Sequence, residues 1–175
     1  MNSIKTGFAV VFFLSGSPFL VAQDPCPCCS APYSAFDFWL GDWTVYNSTG
    51  EVVGTNRIVE MQDGCVLQEN WKATDQSNSG TSYNYFDRTD STWNQIWISN
   101  SGFILELSGN TDSSGVMVLK SDLLSNQNGT YYHRITWTKN GDNSVTQKWD
   151  ILDKEHGIIS EAFMGIYRKD QKHDL

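Results

Sequence analysis

Residues 131–152 read YYHRITWTK-NGDN-SVTQKWDIL, and this stretch indicates the fold of the chain. Two runs rich in β-branched and aromatic residues, 131–139 and 144–152, flank the segment Asn140-Gly141-Asp142-Asn143. Asn, Asp and Gly tolerate the positive φ that tight turns need, and the flanking residue types favour extended backbone. The stretch therefore predicts a β-hairpin.

The same alternation of strand and turn runs through the chain from Trp43 onward. The candidate strands, separated by clusters of Asn, Asp, Ser and Gly, are 43–46, 55–61, 65–73, 82–86, 93–99, 103–108, 116–121, 131–139, 144–152 and 158–168. About ten strands without a long helix predict an all-β fold, a single antiparallel up-and-down barrel, because closure removes exposed strand edges. The short aromatic segment 36–40 is expected to form a helical or coil plug at one end.

The two ends of the chain differ in composition from the predicted barrel. Residues 1–22 combine Lys5, a short apolar run and a small residue at Ala22, which is typical of a secretory signal peptide. We therefore expect export to the periplasm or secretion. The predicted organisation is a signal peptide at 1–22, a Cys-rich arm at 23–35, one barrel domain at 36–168 and a polar tail at 169–175.

The chain of 175 residues carries a formal net charge of -8. Nucleic-acid binding requires clustered Lys and Arg that contact phosphates, so this charge argues against nucleic acid as a partner. No second apolar segment is long enough to predict a membrane span. The expected partner is a small molecule or an oligosaccharide, and the oligomeric state stays open.

All four cysteines lie in the first half of the chain, at Cys26, Cys28, Cys29 and Cys65. Disulfides are the expected state in an exported protein. A bond between the adjacent Cys28 and Cys29 would be strained, so Cys65 is expected to pair with Cys26, Cys28 or Cys29 and tie the arm to the barrel. A redox or metal site at 26–29 is the less favoured alternative, and no metal is expected.

Four predicted strands place tryptophan and a hydrogen-bonding residue on one face, since residues two apart share a face. The segments are Leu67, Glu69 and Trp71; Trp93, Gln95 and Trp97; Tyr131, His133, Ile135 and Trp137; and Val145, Gln147 and Trp149. Buried Glu, Gln and His need hydrogen-bonding partners. The mixed aromatic and polar face therefore predicts a cavity for a polar ligand.

Several short motifs carry a resemblance to a known family. They are Phe36-Asp37-Phe38-Trp39-Leu40-Gly41-Asp42-Trp43, Asn56-Arg57-Ile58, Gly64-Cys65-Val66-Leu67-Gln68-Glu69-Asn70-Trp71, Arg134-Ile135-Thr136-Trp137 and Gln147-Lys148-Trp149. In this order they resemble a family of largely uncharacterised exported proteins with a lipocalin-like (calycin-type) barrel. The resemblance covers about 36–168. It implies the fold but leaves the ligand open, because such barrels bind many ligands and some have become enzymes.

Three residues are candidate catalysts. Glu69 lies on the more apolar face of its strand, where burial raises the pKa of a carboxylate and suits it to acid–base chemistry. His133 is best placed for proton transfer near neutral pH, and Tyr131 shares its face. A structural Glu69 paired with Arg57 or Arg134, and a structural His133 bonded across strands, are the alternatives.

The predicted ligand-binding set combines aromatic rings, amides and two arginines. It comprises Trp71, Tyr83, Tyr85, Trp93, Gln95, Trp97, Gln147 and Trp149, with Arg57 and Arg134 as groups that would hold a substrate carboxylate. Aromatic rings in this set are expected to face inward, although ordinary core packing is the alternative for each one. Sugar rings stack on aromatics and bond to amides, which favours a carbohydrate ligand.

We therefore expect an enzyme without a cofactor, a carbohydrate lyase or dehydratase that acts on a uronate-containing oligosaccharide by elimination. The alternative is a non-catalytic carrier of a small, partly apolar ligand such as a lipid, a pigment or haem. Within the superfamily that the chain resembles, the nitrobindin-like members bind haem, and a haem site would need His133 or His156 as axial ligand. A structural or inhibitory module is the third interpretation.

Overall fold

The computed structural model describes residues 26–169, which form one closed β-barrel. A 3-10 helix at Tyr33–Trp39 precedes eleven strands. The strands are β1 Gly41–Tyr46, β2 Val52–Met61, β3 Val66–Ala73, β4 Ser79–Asp87, β5 Thr92–Ser99, β6 Ile104–Thr111, β7 Met117–Lys120, β8 Leu124–Asn126, β9 Gly129–Lys139, β10 Val145–Leu152 and β11 Ile158–Lys169. The predicted signal peptide and the end of the predicted polar tail lie outside the described residues.

Every strand pairing is antiparallel, and the pairing of β9 with β10 closes the sheet into a barrel of ten strands. The short β8 adds an extra strand that pairs with the beginning of β9. The prediction of an all-β antiparallel barrel is confirmed. β8 was missed, because three residues beside the Asn126–Gly129 turn carry too little alternation to be distinguished from a loop.

Asp and Asn side chains stabilise the turns between strands in a repeated way. The carboxylates of Asp75, Asp112, Asp142 and Asp153 each accept a backbone N–H from the residue two positions later. This local bond satisfies a backbone donor that the strand ladder leaves free. The turn residues that predicted the hairpins therefore act through their side chains as well as through their backbone.

The 3-10 helix closes one end of the barrel. It contains most of the segment 36–40, which was predicted to form an aromatic plug. Phe36 and Trp39 are fully buried and stack on each other with ring centroids 5.0 Å apart. Phe36 also packs edge-on against Trp93 and Trp137. Burying each large apolar side chain contributes about 1.5–3 kcal/mol, and these rings belong to the hydrophobic core of the barrel.

One of two disulfides ties the N-terminal arm to the same end, and the other lies within the arm. Cys28 pairs with Cys65 in the turn between β2 and β3, and Cys26 pairs with Cys29. The prediction that Cys65 bonds to one of the three N-terminal cysteines is confirmed, and the partner is Cys28. Disulfides are compatible with an exported protein. Within residues 26–169, no helix is long and apolar enough to cross a membrane.

Candidate functional site

A cavity of about 410 Å³ occupies the end of the barrel opposite the 3-10 helix. Inward-facing side chains of β3, β5, β6, β9, β10 and β11 and the loops after β3 and β5 form its lining. The lining residues are Glu69, Trp71, Ala73, Asn78, Gln95, Trp97, Ser99, Ser101, Phe103, Leu105, Ile135, Gln147, Trp149, Ala162, Phe163 and Tyr167. Small-molecule sites typically have volumes of about 300–1,000 Å³, so this cavity has a suitable size.

The floor of the cavity is built around the carboxylate of Glu69, which is almost completely buried. Its Oε1 accepts a hydrogen bond from Asn56 Nδ2 at 2.6 Å, and its Oε2 accepts one from Ser82 Oγ at 2.7 Å. Asn56 lies on β2 and Ser82 on β4, so the two strands that flank β3 both supply donors. Glu69 forms no ion pair among the described residues.

The hydrogen bonds continue from Ser82 along β4 and onto the neighbouring strand β5. Asn84 donates to Ser82 Oγ at 2.9 Å, and Gln95 donates to Asn84 Oδ1 at 2.7 Å. On the other side of the cavity, the Tyr167 hydroxyl donates to Gln147 Oε1. These partners satisfy polar groups that would be costly to bury alone, whereas the buried Oδ1 of Asn56 has no hydrogen-bond partner among the described residues.

Burial dominates the electrostatics of this floor. It raises the pKa of Glu69 from 4.5 to about 7, against the lowering effect of the hydrogen bonds from Ser82 and Asn56. Burial and the nearby Glu69 charge raise the pKa of Tyr167 well above its ordinary range. Near neutral pH, Glu69 can therefore hold or release a proton, whereas Tyr167 stays protonated.

Two tryptophans form part of the wall, Trp71 on β3 and Trp97 on β5, and each lies over a glycine on a neighbouring strand. A Cβ at Gly54 would lie 2.4 Å from the ring of Trp71, and a Cβ at Gly80 would lie 2.3 Å from the ring of Trp97. Trp71 also packs edge-on against Phe163, with centroids 5.7 Å apart. The missing side chains of Gly54 and Gly80 therefore leave room for both indoles to lie along the wall.

The mouth of the cavity is formed by Phe103 and Trp149, whose rings stack with an interplanar angle of 19°. Trp149 donates its indole N–H to His133 Nδ1 at 2.9 Å. His133 is thus a hydrogen-bond acceptor behind the wall, and burial lowers its pKa. Tyr131 packs edge-on against His133, and neither of these two residues lines the cavity.

The structure brings together six of the residues predicted for the site. Glu69, Trp71, Gln95, Trp97, Gln147 and Trp149 all line the cavity. His133 and Tyr131 face the interior side of β9 but are separated from the cavity by the Trp149 and Phe103 rings. The expectation that His133 and Tyr131 would contact a ligand directly therefore finds no support in the geometry.

The inward orientation predicted for two tyrosines is wrong. Ser82 and Asn84 are fully buried on the inner face of β4, so strand alternation directs Tyr83 and Tyr85 outward. Tyr83 is 41% exposed. The inner face of β4 is polar because it supplies hydrogen bonds to Glu69 and Gln95, which reverses the usual placement of aromatic residues.

Trp93 and the two arginines also lie away from the cavity. Trp93 belongs to the closed end, where its indole N–H donates to Pro32 O. Arg57 is exposed on the outer face beside Asp42, at 3.5 Å. Arg134 donates to Asp150 Oδ2 at 2.7 Å on the outer face of β9 and β10. Neither arginine can hold a ligand carboxylate inside the barrel.

Several residues of the site were missed in the sequence. Tyr167 and Phe163 share the inner face of β11, and the alternation Phe163, Gly165, Tyr167 was the available signal. Asn56 gave no such signal, because an Asn within a strand is as compatible with the outer face as with the inner one. Phe103 begins the predicted strand 103–108, and its alternation with Leu105 and Leu107 was the available signal.

The cavity does not fit a haem that would be bound through a histidine. Its lining within the described residues contains no His. His133 accepts the Trp149 N–H at Nδ1, so the proton of its neutral ring is on Nε2, the nitrogen that would have to bind the iron. His156 lies in the turn between β10 and β11, where it packs against Tyr132. No group of three or more His, Cys, Asp or Glu side chains between residues 26 and 169 is arranged to hold a metal ion.

Comparison with models of known protein families found no match to this chain, and comparison with curated proteins found none either. The roles of the cavity residues therefore rest on their geometry and chemistry.

Proposed function

We propose that the protein binds a small, partly apolar molecule inside the barrel. The observation that carries this proposal is the cavity of about 410 Å³ that combines aromatic walls with a hydrogen-bonding floor. Trp71, Trp97 and Phe163 offer apolar ring surfaces, and Glu69 and Gln147 lie among the polar groups. A ligand with an apolar ring and a polar end would match both parts at once.

The shape of the barrel supports a lipocalin-like interpretation of the chain, in agreement with its sequence resemblance. A plug closes one end, and the cavity lies at the other end. We also propose that the chain is exported, on the basis of its N-terminal segment and the two disulfides.

A second candidate function is acid–base elimination on an oligosaccharide, which is favoured by the pKa of Glu69 near 7. A lyase or dehydratase needs a proton acceptor, and a poised carboxylate in a cavity is suited to that role. A uronate substrate would also need a cation for its carboxylate, and no Arg or Lys is among the described residues that line the cavity. Binding without turnover therefore ranks first.

Native mass spectrometry and calorimetry test the binding proposal. The purified protein is examined for a retained small molecule and is titrated with neutral aromatic alcohols such as tryptophol. Trp97→Ala, which removes part of the wall, should weaken binding about tenfold or more, as loss of a buried aromatic anchor does. Tyr83→Ala removes an aromatic ring from the outer face of the adjacent strand and should bind like the wild type.

Equal binding by both variants and the wild type would contradict a site in the cavity. The elimination candidate is tested separately, by incubation with uronate oligosaccharides and mass analysis for loss of water or chain cleavage. Turnover that is abolished in Glu69→Gln would favour the enzyme over the carrier.

A further inference from the structure

The cavity holds one carboxylate and no side chain of opposite charge among its described lining residues. Building on the proposed binding function, we propose that the cavity selects organic cations, small aromatic or alkyl amines whose ammonium group is directed to Glu69. The charge of the site, its aromatic walls and the free bonding capacity of the carboxylate support this proposal independently.

The first support is the missing counter-charge at Glu69. A buried carboxylate normally pairs with a cation. Without one, a carboxylate in a site that excludes water is destabilised. Asn56, Ser82 and their neighbours supply hydrogen bonds but no positive charge. A bound ammonium group would supply that charge and would turn an unfavourable feature of the free protein into a favourable contact of the complex.

The second support is the remaining bonding capacity of the carboxylate. Each carboxylate oxygen has two lone pairs. The bonds from Asn56 and Ser82 use one acceptor position on each oxygen of Glu69. One further position on each oxygen is therefore available for N–H donors of a ligand, provided that the ligand reaches the floor.

The third support is the aromatic content of the walls. The rings of Trp71, Trp97, Phe103, Trp149 and Phe163 surround the cavity. The face of an aromatic ring attracts a cation, and the interaction grows when water is excluded. The faces of the same rings repel an anion.

The net charge of -8 also favours the binding of cations, since it raises their concentration near the protein. A uronate or other carboxylate ligand would instead bring a second negative charge next to Glu69. The cavity should therefore discriminate by charge among ligands of the same size and shape.

Binding of an ammonium group should depend on pH through Glu69. The groups that face its carboxylate are Asn56 from β2, Ser82 from β4 and Tyr167 from β11, and Tyr167 is protonated throughout the relevant range. Glu69 is ionised above about pH 7, so amine binding should strengthen as the pH rises from 5 to 8. A neutral ligand should show no such increase.

Calorimetric titration with tryptamine, tryptophol and indole-3-acetate tests the proposal, since these probes share a ring but differ in charge. At pH 8 tryptamine should bind about tenfold or more tighter than tryptophol, as expected for a charge-assisted hydrogen bond, and indole-3-acetate should bind weakest. Glu69→Gln should remove most of the preference for tryptamine. Glu106→Gln, which neutralises an exposed carboxylate on the outer face of β6, should retain it.

Equal affinity of the wild type for tryptamine and tryptophol would overturn the cation proposal and leave the binding function standing. Absence of binding by all three probes would overturn both. If Glu69→Gln does not fold, the wild type is titrated with tryptamine and tryptophol at pH 5 and pH 8. The proposal requires the affinity for tryptamine to rise between these pH values relative to the affinity for tryptophol. The absence of this rise would contradict it.

Discussion

Trp149 donates its indole N–H to Nδ1 of His133 over 2.9 Å, and this bond joins the cavity wall to a residue behind it. The bond requires a His133 whose Nδ1 carries no proton. The proton of the neutral ring is therefore on Nε2. Because Trp149 also stacks on Phe103, the protonation state of His133 is linked to the arrangement of the cavity mouth.

This link predicts a loss of stability in mild acid. Burial lowers the pKa of His133 below 6.5, so the unfolded chain binds a proton at this residue before the folded chain does. The stabilisation of the fold by neutral His133 is present above pH 6.5 and decreases as the pH falls below 6.5. The free energy of unfolding is measured with urea at pH 7.5 and at pH 5. Between pH 7.5 and pH 5, the wild type should lose more of this free energy than His133→Gln, whose amide oxygen can accept the hydrogen bond from Trp149. His156→Gln, in an exposed turn, should show the pH dependence of the wild type.

Glu69 should produce the opposite pH dependence. Its pKa rises from 4.5 to about 7 on folding, so the folded chain binds more protons than the unfolded chain between these values. Stability therefore falls as the pH rises through this window. Each pH unit between the two pKa values changes the free energy of unfolding by about 1.4 kcal/mol. As the pH rises through this window, the free energy of unfolding of the wild type should fall by on the order of 3 kcal/mol relative to that of Glu69→Gln. Urea unfolding of both proteins from pH 4.5 to 8 checks this, and a constant difference would contradict it.

Gly80→Ala should displace Trp97 into the cavity. The added Cβ would lie 2.3 Å from the indole ring, and we expect the ring to move toward the cavity that it lines. Overpacking of this kind costs about 1–3 kcal/mol, and tryptophol binding should weaken in parallel. Gly141→Ala is the matched control, because nothing lies within 4 Å of a Cβ at this turn. Equal binding by Gly80→Ala and Gly141→Ala would show that Trp97 does not form the wall.

The two disulfides should differ in their contribution to stability. Cys28 and Cys65 are separated by 37 positions, whereas Cys26 and Cys29 are separated by 3. Loop-closure entropy predicts that removing the long-range bond costs about 4 kcal/mol and removing the short-range bond about 2 kcal/mol. The double variants Cys28→Ala with Cys65→Ala, and Cys26→Ala with Cys29→Ala, are compared by urea unfolding. A larger loss for the second pair would contradict the entropic account.

Much of the barrel could be predicted because its information is local. Turn residues such as Asn140 and Gly141 mark the hairpins, and the alternation on each strand defines two faces. The inward positions of Glu69, Trp71, Gln95 and Trp97 followed from that alternation, since each shares a face with apolar neighbours. The plug at Phe36 followed from its aromatic content.

The errors at Tyr83 and Tyr85 arose because alternation defines two faces without saying which one is inside. On β4 the inner face carries Ser82 and Asn84, because Glu69 on β3 and Gln95 on β5 need hydrogen-bonding partners there. The aromatic residues Tyr83 and Tyr85 therefore lie outside. The sequence of one strand does not show which hydrogen-bonding partners the side chains of the neighbouring strands need.

The sequence alone was enough to predict the all-β class, the antiparallel connections, the disulfide link from Cys65 to the arm and polar residues among the tryptophans. These properties depend on residues that are adjacent or alternate along one strand. The folded barrel was needed to show that Trp93 belongs to the closed end, that His133 lies behind Trp149, and that Tyr167 faces the same cavity as Glu69. Position along the barrel axis and contacts across the barrel depend on the register of many strands, and closure of the sheet is what sets that register.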